Sequence, residues 1–279
     1  MSEIFAMVEG EFGKVVVLEV RHSLVSHAHS EIQMSYWLGG GLCQGLVGDT
    51  HVVCNDSMAI GINRYQAHDM TLAPDAEPCM MLLIYMHEHW FDAHITPIVF
   101  RNAQLNVTEA VRTKYCALMQ KMLFAWHADH AQIDDDVKAL IQLTVQTNHH
   151  AVHPYPNVMR RKMVDYRLRL ALSHMRDNIA KANLIKTLAK TVGLSRSRLY
   201  ELFKKELQSS PKLVYNSVLI DAAISDMRQP ATDLSVLAAK FGFSTAANFS
   251  RFFRSHKGVT PSAYRKKMRI SASHESTKA

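Results

Sequence analysis

Two blocks of the C-terminal half occur twice. Leu188-Ala-Lys-Thr-Val-Gly-Leu-Ser195 matches Leu237-Ala-Ala-Lys-Phe-Gly-Phe-Ser244, and Phe203-Lys-Lys-Glu-Leu-Gln-Ser-Ser-Pro211 matches Phe253-Arg-Ser-His-Lys-Gly-Val-Thr-Pro261, about fifty residues apart, with one extra residue between the blocks of the second copy. Each copy predicts a helix, a sharp turn at Gly193 or Gly242 where positive φ is needed, and a second helix opened by Ser195 or Ser244 as its cap. That is the layout of a helix-turn-helix, present twice.

The charge distribution follows the same division. Cut after Met159, the chain has a net charge of −9 before the cut and +16 after it, within a formal total of +7. A strongly basic module joined to an acidic one points to nucleic-acid binding by the first of these. In the second helix of the first copy, Leu199, Leu202 and Phe203 share an inner face, leaving Arg196, Ser197, Tyr200, Glu201 and Lys204 outside. In the second copy Phe249, Phe252 and Phe253 turn inward, and Thr245, Ala246, Ala247, Asn248, Ser250, Arg251 and Arg254 are outside. The first residues of such helices reach base edges in the major groove, while flanking Lys and Arg hold phosphates. Two units on one chain suit two groove segments about 34 Å apart.

These residues, with Gly242-Phe-Ser244, Phe249-Ser-Arg-Phe-Phe253 and Gly258-Val-Thr-Pro-Ser-Ala-Tyr-Arg265, resemble the AraC family of bacterial transcription regulators over roughly residues 163–268. The resemblance implies a seven-helix DNA-binding domain in which a long helix from Pro211 joins the two units. By position it carries base reading to Ser197, Tyr200 and Glu201 in the first unit and to Ala246, Ala247, Ser250 and Arg251 in the second. The chain departs from the family pattern twice. Gln208 stands where glycine is common, and the joining helix reads Val218-Leu-Ile-Asp-Ala-Ala where an arginine is usual. Ala246 and Ala247 cannot donate side-chain hydrogen bonds, which suits thymine methyls or backbone contact and shifts specificity towards the first unit.

The N-terminal half has a different rhythm. Lys14–Val20 and Met80–Met86 are apolar runs, His27–Leu38 alternates, and Gly39-Gly-Gly41, Gly48-Asp49 and Asn55-Asp56 mark turns, so an antiparallel sandwich or barrel is expected. On one strand, His27, His29, Gln33 and Trp37 would share a side facing a pocket, with Ile32, Met34, Tyr36 and Leu38 facing a core. With His68 these residues resemble the cupin-like sensor domain that precedes the DNA domain in many such regulators, which makes His27, His29, Gln33, Trp37 and His68 the effector-binding candidates. Metal-binding cupins usually place a glutamate where Gln33 stands, so no metal or other cofactor is expected. His87, His89, His94, His149 and His150 read as surface residues, Met80, Met81, Met119 and Met122 as packing, and the four cysteines as reduced thiols.

From Asn106 a helical period begins, with Asn106 and Glu109 as a capping box. A second helix is expected from about Ile133, opened by Asp134, Asp135 and Asp136. Their narrow stripe suits either pairing with a second subunit or packing on the protein's own sheet. The resemblance favours a homodimer through residues 106–147.

The expectation is an α+β chain of two domains: a cupin-like antiparallel β-barrel followed by two helices over 1–147, a linker at 148–162, an AraC-type DNA-binding domain of about seven helices at 163–270, and a polar tail at 271–279. Its function is that of a non-enzymatic, effector-responsive transcription activator. Its partners are double-stranded promoter DNA, a small molecule and, in one reading, RNA polymerase. The absence of a leader-like N-terminus or a long apolar run places it in the cytoplasm, away from membranes. Two competing readings stay open: a metal-dependent cupin enzyme with an accessory basic domain, and a DNA-binding protein with no ligand whose N-terminal half only dimerises or meets another protein.

Overall fold

A computed structural model describes residues 2–73, 75–95, 98–124, 130–154, 165–179, 184–229 and 232–276. The N-terminal half is built on two antiparallel sheets. The larger orders its strands β1 (Glu3–Gly10), β2 (Gly13–Val20), β9 (Cys79–Met86), β4 (Ile32–Gly40), β7 (Met58–Ile62), β11 (Gln104–Asn106). The smaller orders β3 (Leu24–His27), β8 (His68–Met70), β5 (Cys43–Val47), β6 (Thr50–Cys54). Of the expected sandwich or barrel, the described strands form two separate sheets that are not closed into one barrel.

The central strands explain themselves from sequence. β2 and β9 are apolar at nearly every position because both faces are covered, and a one-sided strand would alternate. Val15, Val17, Leu82, Ile84 and Met86 point into one cluster, which α2 (Glu109–Phe124) and α3 (His130–Thr147) close with Val111, Tyr115, Leu118, Val137, Leu140 and Ile141. Val16, Leu18, Val20, Met81 and Leu83 point the other way, towards the smaller sheet. The helices at 106–147 therefore spend their apolar stripe on the protein's own sheet.

Several local expectations shift. Asn106 ends β11, and Thr108 opens α2, its hydroxyl accepting from Val111 N at 3.4 Å. α3 begins at His130, so Asp134–Asp136 lie beyond its first turn. The run 27–38 is two strands in different sheets, broken at Ala28–Glu31. The bend is held by Ser30, whose carbonyl accepts from Arg64 Nε at 2.8 Å. Within 148–162, residues 148–151 form a turn in which Asn148 is buried and bonded to Asn106, Val152–Pro154 forms β12, paired to β10 (Ile98–Phe100), and 155–162 lie outside the described residues. A short α1 (Glu88–His94) carries His89 and His94, with His87 just before it.

Seven helices of the C-terminal half are described: α4 (Tyr166–Asp177), α5 (Leu184–Thr191), α6 (Arg196–Leu207), α7 (Pro211–Met227), α8 (Leu234–Lys240), α9 (Ala246–Lys257) and α10 (Pro261–Ser276). Residues 163–164 at the expected start of the domain, and 180–183 and 230–231 within it, fall outside the described residues. Gly193 (φ 68°) and Gly242 (φ 78°) adopt the positive φ that their turns require. Ser195 caps α6, accepting from Arg198 N. The cap of α9, however, is Thr245, accepting from Asn248 N, while Ser244 accepts from the Asn248 side chain at 2.7 Å. The extra residue of the second copy lengthens the turn by one position and moves the cap with it.

Candidate functional site

The two second helices present their first turns to solvent. Arg196, Ser197, Glu201 and Lys204 on α6, and Thr245, Ala247, Arg251 and Arg254 around α9, are exposed or nearly so. Tyr200, Ala246 and Ser250 are half-buried. Arg196 lies over the Tyr200 ring, 5.8 Å from its centroid, and Arg251 leans on Asn248. Leu199, Phe203, Phe249 and Phe253 are buried behind them, so the inner and outer faces read from sequence are the faces the structure shows.

The C-terminal ends of the same helices point the other way, into the N-terminal half. His256 and Lys257, the last residues of α9, help to line a cavity between the sheets. Leu18, Val20, Ile60, Ile62, Met81 and Leu83 make its apolar wall, and Gln33, Ser35, His27, His68, Asp69 and Tyr85 its polar one. Of the effector candidates, His27, Gln33 and His68 line this cavity. His29 stands behind them, its ring 4.8 Å from that of His68 and its Nε2 2.7 Å from the Gln33 side-chain amide. Trp37 shares the face of Gln33 but lies beyond the cavity, donating to Gly41 O at 3.2 Å.

Four imidazoles meet here. His27 and His68 are 4.2 Å apart by ring centroids, and His27 and His256 are 6.3 Å apart. Each ring has Nδ1 against a backbone carbonyl: His27 to Val25 at 2.9 Å, His29 to Glu31 at 2.9 Å, His68 to Gln66 at 2.9 Å and His256 to Phe252 at 2.7 Å. A carbonyl only accepts, so in His27, His68 and His256 Nδ1 carries the hydrogen and Nε2 of the neutral ring keeps its lone pair, whereas His29 faces an oxygen acceptor on both sides, Glu31 O and Gln33 Oε1. The rings are neutral for a physical reason. Burial, reinforced for His29 by neighbouring His68, pushes His29 down to about 3, burial takes His68 to about 4, and burial takes His27 well below its usual range. His68 Nε2 is buried with no protein partner. Among the described residues no group of three or more His, Cys, Asp or Glu side chains is arranged to hold a metal ion.

Beside the imidazoles lies a charged group that the sequence reading missed. Lys14 Nζ sits 2.5 Å from Glu31 and 4.6 Å from the Tyr85 ring centroid, and Lys257 stands 5.5 Å from the same centroid. Asp221 of α7 accepts from Ser30 Oγ at 2.7 Å. Burial opposes the Glu31 charge, yet Lys14 and Lys257 outweigh it and hold Glu31 well below the carboxylate range; burial raises Asp221. Lys14, Glu31, Asp221 and Lys257 come from four separate elements, so no local spacing could have announced them.

Comparison with known proteins agrees with the geometry. Residues 188–267 match the family model described as a helix-turn-helix domain, and they span both repeats. Residues 188–267 form an AraC-type helix-turn-helix domain. The chain is 30% identical over 101 residues to the raffinose operon transcriptional regulatory protein RafR of Pediococcus pentosaceus, covering 36% of each chain. It is 30% identical over 95 residues to the lactose operon transcription activator of Staphylococcus xylosus, covering 34% of each. The matched region thus spans about a third of the length of these curated relatives. At the level of fold the likeness is wider. Apo ToxT of Vibrio cholerae, in a lysine-to-alanine variant, superposes with a TM-score of 0.61 at 12% identity over 93% of this chain and 98% of that one. Unsaturated-fatty-acid-bound ToxT superposes at 0.54 and 11% over 95% and 94%. No helix among the described residues is long and apolar enough to cross a membrane.

Proposed function

We propose that this protein is a sequence-specific transcription regulator, acting as an activator, in which the N-terminal half takes up a small molecule and the AraC-type half reads two adjacent major-groove segments of promoter DNA. The observation that carries this reading is the cavity itself: its wall is completed by His256 and Lys257, the last turn of the helix whose first turn faces DNA. A molecule entering it touches the second reading helix directly, and so has the differential contact that any ligand needs to shift a conformational equilibrium. Arg196, Ser197, Tyr200, Glu201 and Lys204 serve the first segment, and Thr245, Ala246, Ala247, Ser250, Arg251 and Arg254 the second. His27, His29, Gln33 and His68 form the polar end of the effector site.

The effector has an apolar body, matched to the Leu, Ile and Val wall, and a polar head that meets imidazole lone pairs and Lys257. The bound fatty acid of ToxT supports that amphipathic character. Dimerisation falls to residues 106–147, where Phe124 at the end of α2 is exposed.

Selection of fragmented bacterial genomic DNA on the full-length protein near physiological salt tests the reading, since low salt rewards the basic half indiscriminately. One recurring motif with two segments a helical turn apart is expected, and an unsaturated fatty acid should change its affinity in wild type but not in Lys257→Ala. A flat distribution of recovered fragments, with and without the fatty acid, would overturn it.

A further inference from the structure

Both departures from the family pattern hold the N-terminal half. Asp221 takes the Ser30 hydroxyl, and Gln208 is gripped from three sides. Gln66 Nε2 donates to Gln208 Oε1, Ala67 N donates to Gln208 O at 3.4 Å, and Gly48, at the β5–β6 turn, lies so close that a Cβ there would sit 2.7 Å from Gln208 Oε1. Gln208 ends α6 with φ 49°, a left-handed conformation that disfavours any residue with a Cβ. The equivalent position of the second copy is Gly258, at φ 75°, which meets the need without strain. A glutamine kept where glycine is easier calls for a use of its side chain, and the side chain is used between domains.

The same grip reaches the reading face. Asp49, next to Gly48, accepts from Lys204 Nζ at 2.6 Å, and Tyr200, Glu201 and Lys204 share one cleft with Gly48 and Ala67. DNA approaching this face of α6 meets the β5–β6 turn and an acidic side chain that repels phosphate. We propose that Gln208 is a positioning residue: clasped by Gln66, Ala67 and Gly48, it holds α6 against the N-terminal half and withholds the first reading unit from DNA until the clasp opens. This inference rests on the outer face of α6 being a DNA-reading face.

The test uses full-length protein at physiological salt. Wild type first enriches duplexes from a random library. Affinity is then measured on the enriched duplex and on versions with one or the other segment scrambled. Gln208→Gly removes clasp and strain together, Gln66→Ala removes the clasp alone, and the double variant asks whether they share one contact. Each single variant should bind the intact duplex roughly five-fold tighter or more, with no change where the first segment is scrambled, and the double variant should match the singles. A residue with only a structural role would weaken binding on every duplex when removed. Unchanged or weaker binding to the intact duplex overturns the clasp while leaving the DNA-reading assignment standing. Failure of wild type to enrich any sequence overturns both.

Discussion

The two helix-turn-helix units share a sequence pattern and differ in what surrounds them. The first has a core largely its own: Leu188, Leu199, Phe203, Val214 and Val218 pack together, with Tyr65 as the buried contribution of the N-terminal half among the described residues. The second has no such boundary. Phe249, Phe253, Leu237 and Tyr264 belong to one continuous cluster with Val16, Leu18, Ile60 and Leu83 of the sheets. A repeat fixes the fold of each unit, but its neighbours decide whether the unit moves independently. The first unit is attached by polar contacts that can be exchanged for water, and the second by apolar surface that cannot be parted cheaply.

The sharpest way to break this contrast is to empty the same position in both units. Phe203 and Phe253 are both fully buried, so either change to alanine should cost about 3–5 kcal/mol. Phe253→Ala should loosen both halves in one cooperative transition, followed by thermal unfolding with separate near-ultraviolet and amide-exchange probes. Phe203→Ala should leave amide protection in β2 and β9 intact. Equal loss of sheet protection in the two variants would erase the distinction.

Acid should separate the units through the imidazoles, which face only the second one. An unfolded chain takes up protons on histidine below pH 6.5, whereas the folded chain holds His68 neutral to about 4 and His29 to about 3. Stability is therefore fully present above pH 6.5 and falls as the pH drops towards 4, by on the order of 2–3 kcal/mol for His68 alone. Glu31, depressed by Lys14 and Lys257, adds a loss below its unfolded value. Melting temperature against pH should slope steeply from 6.5 to 4 in wild type and less so in His68→Asn. Parallel slopes would place the proton uptake elsewhere.

How far the sequence alone reaches follows the range of the interactions. The repeat, its glycine turns and the buried Leu199, Phe203, Phe249 and Phe253 are local, and local spacing revealed them. The alternation of β4 was legible too, since Gln33 and Trp37 do share a face away from Met34 and Tyr36. What stayed hidden was whatever required the two halves to meet. His256, Lys257, Lys14 and Glu31 stood in no pattern that spacing could single out, and Gln208 and the run holding Asp221 stood only as departures from the family pattern. The split of 27–38 into two strands escaped because Ser30 owes its bend to Arg64 and Asp221, both distant in the chain.

At the DNA surface the contrast becomes one of specificity. Tyr200→Ala and Arg251→Ala should each weaken binding to the selected duplex by about 1–3 kcal/mol, and less to random duplex. Filter binding on the two scrambled duplexes assigns each residue to its segment. Equal losses on selected and random DNA would reduce both residues to phosphate or structural contacts.

The smallest effect tests the repeat at its most equivalent point. Ser195 and Thr245 each accept from the backbone N–H three residues on, at 3.3 and 3.1 Å, and each opens a twelve-residue helix. Replacement by alanine leaves that donor without its cap and should cost about 1 kcal/mol in either unit. The consequence should nonetheless differ. α6 is buried mainly within its own unit, so Ser195→Ala should appear as local fraying, with faster amide exchange at residues 197–199 and little change in global melting. α9 is welded to the sheets through Phe249 and Phe253, so Thr245→Ala should be felt in the global transition while its first turn stays protected. Fraying of both first turns to the same extent would show that the sheets stabilise only the C-terminal end of α9, leaving its first turn as free as that of α6.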